Sequence, residues 1–310
     1  MTGVILGGAN NVFDVECGDG LVRRCRIKGK ILRGTQRWYN PLAPGDQVVL
    51  EERGEDVQIA GLGERKNAFV RWNVKGRSPQ LLAANLDLIL LVTTPDSPPF
   101  RPRFIDRALC QAEEAGIEPV ILVNKCDLPC SPETAARIGD WERIGYRCVR
   151  VSARNGDGMP YLARLLEGKL SALAGQSGVG KSSVINVLDS GCVLKTGSLS
   201  QKYGRGSHTT VKGTLLRLTL NEALMGRMGA RASVIDTPGV RRFVLDGEAG
   251  VDPQLFFREI RPFVGKCAFG LSCTHTTEGG CAVREAVAAG HISPERFESC
   301  LRIREGDPGD

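Results

Sequence analysis

The stretch Gly175-Gln176-Ser177-Gly178-Val179-Gly180-Lys181-Ser182 constrains this chain more than any other. An apolar run, Leu170-Ser171-Ala172-Leu173-Ala174, precedes it and reads as a buried strand. Lys181 to Leu188 follows, and its Val184, Ile185, Val187 and Leu188 suit one face of a helix. Strand, glycine-rich loop and helix in that order match G-x-x-x-x-G-K-[ST] at every fixed position. The glycines let backbone N–H groups converge on phosphate oxygens, and the helix N-terminus adds partial positive charge. Gly175 to Ser183 therefore form the candidate phosphate cradle. Lys181 is placed to reach the outer phosphates and Ser182 to offer its hydroxyl to Mg²⁺.

At 310 residues the chain has room for two or three domains, with charge and apolar content typical of globular proteins. No basic segment followed by an apolar one opens it, and no apolar run is long enough to cross a bilayer. A cytoplasmic protein is expected, and nothing demands more than a monomer. Eleven cysteines, an odd number, suit scattered thiols plus a metal site better than disulfides. The net charge of +6 is unevenly spread: residues 21–45 hold seven Lys/Arg and no Asp/Glu, while residues 65–86 and 190–221 each hold five and none. Acid-free blocks of this kind favour a polyanionic partner.

Residues 1–64 contain short strands, Val12 to Glu16, Leu21 to Ile27, Gln47 to Glu51 and Val57 to Ile59, between glycine-rich turns. The size and spacing predict a small five-stranded barrel of the OB type. Within it, Lys28, Lys30, Arg33 and Arg37 stand near Trp38 and Tyr39, a mixture suited to phosphate contact and base stacking in RNA. Residues 65–80 read as a linker. From Leu81 strands alternate with helices: strands at Leu86 to Val92, Val120 to Val123, Arg147 to Val151, Thr214 to Leu220 and Ala232 to Ile235, and helices at Arg103 to Ala115, Glu133 to Ile144 and Met159 to Leu166. That alternation predicts a mostly parallel sheet covered on both faces. Beyond residue 250 the pattern is helical, at Pro253 to Val264, Val283 to Ala289 and Pro294 to Ile303.

Further motifs fall at the ends of predicted strands. In Asn124-Lys125-Cys126-Asp127, the carboxylate of Asp127 accepts from the two donors on guanine's edge, while Asn124 and Lys125 brace base and phosphate loop. Adenine lacks those donors, and a site built on such pairing rejects the wrong base by roughly 10⁴-fold or more when the Asp is buried. Ser152-Ala153 offers a backbone N–H to guanine O6. Thr209 and Thr210 can supply a second Mg²⁺ hydroxyl and sense the γ-phosphate, and Asp236-Thr237-Pro238-Gly239 supplies Asp236 to Mg²⁺ through water and the Gly239 N–H to the γ-phosphate. The base-reading motifs precede the phosphate loop, the reverse of ordinary small GTPases. The order predicts a circularly permuted domain, which is permissible because domain termini often lie close together.

Cys267, Cys273, His275 and Cys281 complete the set of motifs. Three thiolates and one imidazole leave no open position, as suits one structural Zn²⁺. The expected fold is thus multidomain α/β. An N-terminal OB-type β-barrel (1–64) and a linker (65–80) lead to a circularly permuted P-loop GTPase α/β domain (81–248), and a C-terminal helical zinc-binding domain (249–310) follows.

With these motifs, Arg65-Lys66-Asn67, the entry from Gln80 to Asp87, Gly204-x-Gly206-x-His208-Thr209-Thr210 and Cys281 to Val287, the chain resembles the ribosome-small-subunit-dependent GTPases over nearly its full length. The resemblance implies a GTP hydrolase that docks on the maturing small ribosomal subunit and its rRNA, is stimulated there, and acts late in assembly, hydrolysis driving release. The chain departs from the family in three ways. Five residues rather than four separate the first two cysteine ligands, and Asn221 to Arg231 is longer than usual, expected as a surface hairpin. Gly247 stands where many members carry a proposed catalytic histidine. Val240 follows the motif glycine where small GTPases place a water-orienting Gln. His208 is the fallback catalytic candidate, with contact to RNA or solvent as its other reading. Val240 also keeps open a GTP-gated RNA-binding module in which hydrolysis is incidental.

Overall fold

The computed structural model describes residues 1–310 except 10, 30, 31, 33–37, 55, 74–77, 193, 195–212, 238–251 and 307–310. Strands β1 (Thr2–Ala9), β2 (Val12–Cys17), β3 (Val22–Ile27), β4 (Gln47–Arg53) and β5 (Asp56–Leu62) close into a barrel in the order β1-β2-β3-β5-β4. Period-2 alternation turns Phe13, Val15 and Cys17 of β2 and Val48 and Leu50 of β4 inward, against Ile5, Cys25 and Ile59. β1 escapes a propensity reading because it is glycine-rich. Two of those glycines are required by close approach: a Cβ on Gly3 would lie 2.6 Å from a Val15 methyl, and one on Gly8, at φ +152°, 2.4 Å from the Val12 carbonyl oxygen.

Residues 65–80, read as a linker, carry structure of their own. β6 (Ala68–Asn73) pairs antiparallel with β7 (Ser78–Ala84). The Arg65-Lys66-Asn67 motif acts here as a clasp. Arg65 makes a bidentate pair with the buried Asp46, at 2.6 and 2.8 Å. The Lys66 ammonium reaches Asp87 at 3.1 Å, and the Asn67 side chain exchanges two 2.8 Å hydrogen bonds with the backbone of Leu86. Barrel and following sheet are thereby joined through charged and amide groups whose partners lie far apart in sequence.

The second sheet is built from β8 (Leu88–Thr93), α1 (Pro102–Glu114), β9 (Glu118–Val123), α2 (Pro132–Ile144), β10 (Arg147–Arg150), α3 (Met159–Leu166), β11 (Leu170–Gly175), α4 (Lys181–Leu188), β12 (Thr214–Thr219), α5 (Glu222–Met225) and β13 (Arg231–Asp236). Its six strands run β10-β9-β8-β11-β13-β12, parallel except where edge strand β12 meets β13. β8 is buried along its whole length, as a strand covered on both faces must be. One apolar layer includes Leu109 of α1 and Trp141 of α2; the other includes Leu162 of α3 and Val184 of α4. The Asn221 to Arg231 segment, expected as a surface hairpin, is more than a hairpin turn. Asn221 accepts a hydrogen bond from the Ala223 amide and starts the single turn of α5, which Leu224 and Met225 fold against the apolar layer under α3 and α4.

After residue 252 the continuous helix expected from Pro253 to Val264 is replaced by two 3₁₀ turns, Pro253–Phe256 and Arg261–Phe263. Helices α6 (Ala282–Ala288) and α7 (Pro294–Arg304) complete the chain. This end is fastened to the sheet domain by a buried ionic cluster. Asp106 of α1, fully excluded from solvent, accepts from Arg137, from Trp141 Nε1 at 2.9 Å, from Arg296 at 2.9 Å and from Ser299 Oγ at 2.6 Å. Arg296 also forms a bidentate pair with Glu259, at 2.6 and 3.1 Å, and lies over the Phe257 ring. Two guanidinium groups and two carboxylates balance one another in a medium where an unpaired charge is costly. Replacing Asp106 by Ala leaves both cations short of a partner. The expected loss is about 3–5 kcal/mol, seen as a lower urea midpoint by tryptophan fluorescence; an unchanged midpoint would remove Asp106 from this role.

Candidate functional site

A parallel sheet presents its chemistry at the carboxyl ends of its strands. Here β8, β9, β10, β11 and β13 all end at one rim. β11 runs into the glycine-rich loop and α4 begins at Lys181, with Gly180 as its N-cap at φ +92°. Gly180 has no side chain to cap the helix, so the first-turn amides remain for an anion. Ser131 and Ser293, by contrast, cap α2 and α7 with their hydroxyls. A Cβ at Gly180 would sit 2.4 Å from Asn124 Nδ2, so the position excludes any side chain on contact as well as on dihedral grounds.

Lys181 lies across the loop, its ammonium donating to the carbonyls of Gly175 at 2.9 Å and Gln176 at 3.0 Å. Burial lowers its pKa, while the charge of nearby Asp236 works the other way. Asp236 closes β13; burial raises its carboxyl pKa and Lys181 opposes that shift. Its Oδ1 is buried without a hydrogen-bond partner. An orphaned carboxylate oxygen facing a phosphate loop fits a hydrated divalent cation, which Ser182 would also hold. Thr237 Oγ1 donates to the Leu173 carbonyl at 2.6 Å and pins the Asp236 turn to β11, a role the motif alone did not reveal.

The base-reading loops meet the phosphate loop through one amide. Asn124, 1 % exposed, donates from Nδ2 to the Val179 carbonyl at 2.8 Å and accepts on Oδ1 from the Ala153 amide at 3.1 Å. Ser152 Oγ donates to Asp127 Oδ1 at 2.7 Å and holds that carboxyl below its ordinary range. Asp127 stands at the rim with its side chain 17 % exposed, rather than in the interior. The Ser152 and Ala153 amides, expected to face a base, donate to Asp157 and Asn124 respectively. Lys125, at φ +63°, sends its ammonium to the Ser97 carbonyl at 2.7 Å. The loop after β8, with Pro98 beside Gly178, therefore lies against both the Lys125 loop and the phosphate loop. Its Pro-Asp-Ser-Pro-Pro sequence after an apolar strand was the available signal.

Cys267, Cys273, His275 and Cys281 are all buried, their ligand atoms within 4.8 Å of one another. His275 Nδ1 lies 3.6 Å from Cys267 Sγ and 3.2 Å from Cys281 Sγ, and the two sulfurs are 3.8 Å apart. Bonds of about 2.3 Å to sulfur and about 2.0–2.1 Å to nitrogen, arranged tetrahedrally, produce separations near these. The longer loop between Cys267 and Cys273 is taken up by a 3₁₀ turn, Gly270–Ser272, which leaves Phe269 and Leu271 exposed.

The expected RNA contacts are only partly described. Lys28 is paired with Glu51 at 2.5 Å, and Trp38 packs near Ala43, Val70 and Leu81 with the Arg65 guanidinium 4.9 Å from its ring centre. Each already has a protein partner. Arg24 and Arg26 of β3, not singled out from sequence, point outward from the barrel on either side of buried Cys25. Lys30, Arg33, Arg37, His208, Thr209, Thr210, Gly239, Val240 and Gly247 lie outside the described residues.

Residues 62–246 match the family model described as RsgA GTPase. The chain is 36 % identical to the small ribosomal subunit biogenesis GTPase RsgA of Borrelia recurrentis, across 96 % of this chain and 92 % of that one. To the protein of the same name from Chlorobaculum parvum it is 35 % identical, across 98 % and 97 %. Among solved structures, YjeQ from Thermotoga maritima superposes with TM-score 0.69 at 27 % identity, covering 98 % of this chain and 97 % of that chain. YloQ, described as a circularly permuted GTPase, superposes at 0.65 with 25 % identity, covering 98 % and 94 %. With its phosphate loop on the strand between the base-reading strands and the Asp236 strand, and base-reading motifs first in the chain, this protein belongs to the RsgA GTPase family.

Proposed function

We propose that this protein binds GTP with Mg²⁺ at the sheet rim, hydrolyses it to GDP and phosphate, and serves assembly of the small ribosomal subunit. The observation that carries the reading is Asn124, whose side chain joins the guanine-reading loop to the phosphate loop. Asn124, Lys125, Asp127, Ser152 and Ala153 form the base end. Gly175 to Ser183 form the phosphate end, with Ser182 and Asp236 toward Mg²⁺. Relatives named for small-subunit biogenesis support the partner, and the acid-free basic blocks suit rRNA. On the barrel, Arg24, Arg26 and Lys28 make the outward basic face, and Lys30, Arg33, Arg37 and Trp38 follow in sequence as further candidates for RNA contact.

Thr209, Thr210 and the Gly239 N–H complete the γ-phosphate contacts in this reading, with His208 the in-chain candidate for acting on water. Val240 cannot orient that water. Isolated turnover is therefore slow, and docking on the subunit supplies or positions the missing polar group, so that hydrolysis reports docking and drives release. The metal cluster holds one structural Zn²⁺. No helix among the described residues is long and apolar enough to cross a membrane. In this reading the protein acts on the ribosomal subunit in the cytoplasm, as a monomer.

Three measurements test these assignments. Asp127→Asn weakens GDP binding roughly 10- to 100-fold through loss of a charged hydrogen-bond partner and moves preference toward xanthosine nucleotides, read by calorimetry; retained guanosine preference would reject the base assignment. Single-turnover GTP cleavage rises when purified small subunits are added. Equal rates with and without them would favour the module in which hydrolysis is incidental. Affinity for rRNA falls with salt, log K dropping by roughly one unit per phosphate contact for each tenfold increase, and a flat response would exclude the basic faces.

A further inference from the structure

The metal cluster has a second layer, which the ligand motif does not contain. His275 turns Nδ1 toward the sulfurs of Cys267 and Cys281. Its other nitrogen, Nε2, lies 2.7 Å from Oε1 of Gln254, a residue 21 positions earlier in the chain and 3 % exposed. The orientation of the Gln254 amide is decided on its far side. Its Nε2 donates to Asp252 Oδ2 at 2.9 Å, which a carbonyl oxygen could not do. The oxygen must therefore face the imidazole, and His275 Nε2 must carry the proton it donates. That leaves the Nδ1 lone pair for a metal.

Asp252 is held in turn. Arg304, on α7, pairs with its Oδ2 at 2.8 Å and donates to the Cys273 carbonyl at 3.0 Å. The path His275–Gln254–Asp252–Arg304–Cys273 thus leaves the cluster at one ligand residue and returns at another. It also reaches the sheet domain, because the Cys110 thiol of α1 donates to the Pro253 carbonyl at 3.7 Å. His275 itself sits at φ +63°, a backbone region uncommon for a residue with a side chain.

We propose that Gln254 is the positioning residue of the metal centre: it fixes His275 as an Nδ1 ligand and, with Asp252 and Arg304, ties the metal loop to α7 and to α1. The inference rests on the reading of Cys267, Cys273, His275 and Cys281 as metal ligands. A ligating imidazole whose second N–H is accepted by a neighbour is held in one tautomer and one orientation, and loss of such a partner costs about 10- to 100-fold in metal affinity. Gln254 reaches His275 only through the 3₁₀ turn Pro253–Phe256, so its separation in sequence hides the pairing.

The test uses the full chain and added Zn²⁺ or Co²⁺. Metal analysis of the unaltered protein comes first: absence of a bound equivalent removes the metal reading itself, before Gln254 is touched. Given one bound metal, Gln254→Leu lowers Zn²⁺ affinity about 10- to 100-fold in chelator competition and alters the Co²⁺ d–d spectrum. Gln254→Glu combined with Asp252→Asn keeps an acceptor oxygen toward His275 and a donor–acceptor pair between the two side chains, and recovers most of the affinity. Wild-type affinity and spectrum in the Leu variant, or equal losses in both variants, would overturn the proposal while leaving the metal in place. Long-range ¹H–¹⁵N spectra of the unaltered Zn²⁺ form provide a readout that needs no variant. They are expected to show His275 protonated at Nε2 and metal-bound at Nδ1, and the opposite tautomer would also overturn it.

Discussion

The nucleotide site depends on one buried amide. Asn124 leaves the end of β9, yet its two polar atoms are spent on the phosphate loop after β11 and the loop after β10. An amide with a donor and an acceptor at fixed separation can serve both loops at once, and in the interior neither bond competes with water. Gly180 is part of the same constraint, since any side chain there would displace Asn124. Three loops that come from separate parts of the chain are thereby set at fixed distances from one another. The position of Asp127, held by Ser152, follows from that setting.

Permutation leaves this contact intact because it alters connectivity and not adjacency. Strand β11 lies between β8 and β13 in the sheet, so the phosphate loop has the base-reading side on one flank and Asp236 on the other. What permutation changes is the route out of the domain. Beyond β13 the sequence leads to the end that carries the Cys/His cluster, and that end returns to the sheet domain through Asp106, Arg137 and Arg296. These charges gain little over apolar packing in total free energy, but each fixes direction, since a guanidinium fork meets a carboxylate in few geometries. The C-terminal end is consequently registered on α1 and α2 and not merely packed against them.

Much of this was legible in residue patterns. The phosphate loop, the Asn124 to Asp127 motif, the Asp236 turn and the Cys/His set are local strings whose chemistry depends on spacing along the chain. The alternation of strands and helices from Leu88 to Leu188 is likewise a local matter of apolar period. Three features were less accessible. Strand β1 is glycine-rich because neighbouring backbone comes close, which propensity penalises. The hairpin of β6 and β7 sits in a basic stretch that reads as connection, and is held by Arg65 and Asn67 partners elsewhere. The region from Pro253 breaks into 3₁₀ turns where a helix was expected, because Gln254 and Phe257 are drawn into the core around the Cys/His cluster.

By itself the sequence determined the family, the order of the motifs and the residue types it offers toward a base, phosphates and a soft metal. These are properties of short strings, and their physics acts over a few residues. Tertiary structure alone decided which partner each buried polar group meets: Asn124 with Val179 and Ala153, Asp106 with two arginines, His275 with Gln254. Such pairings join positions distant in the chain and are selected by the cost of burying an unpaired donor or charge. That cost exists only once the chain has closed around them.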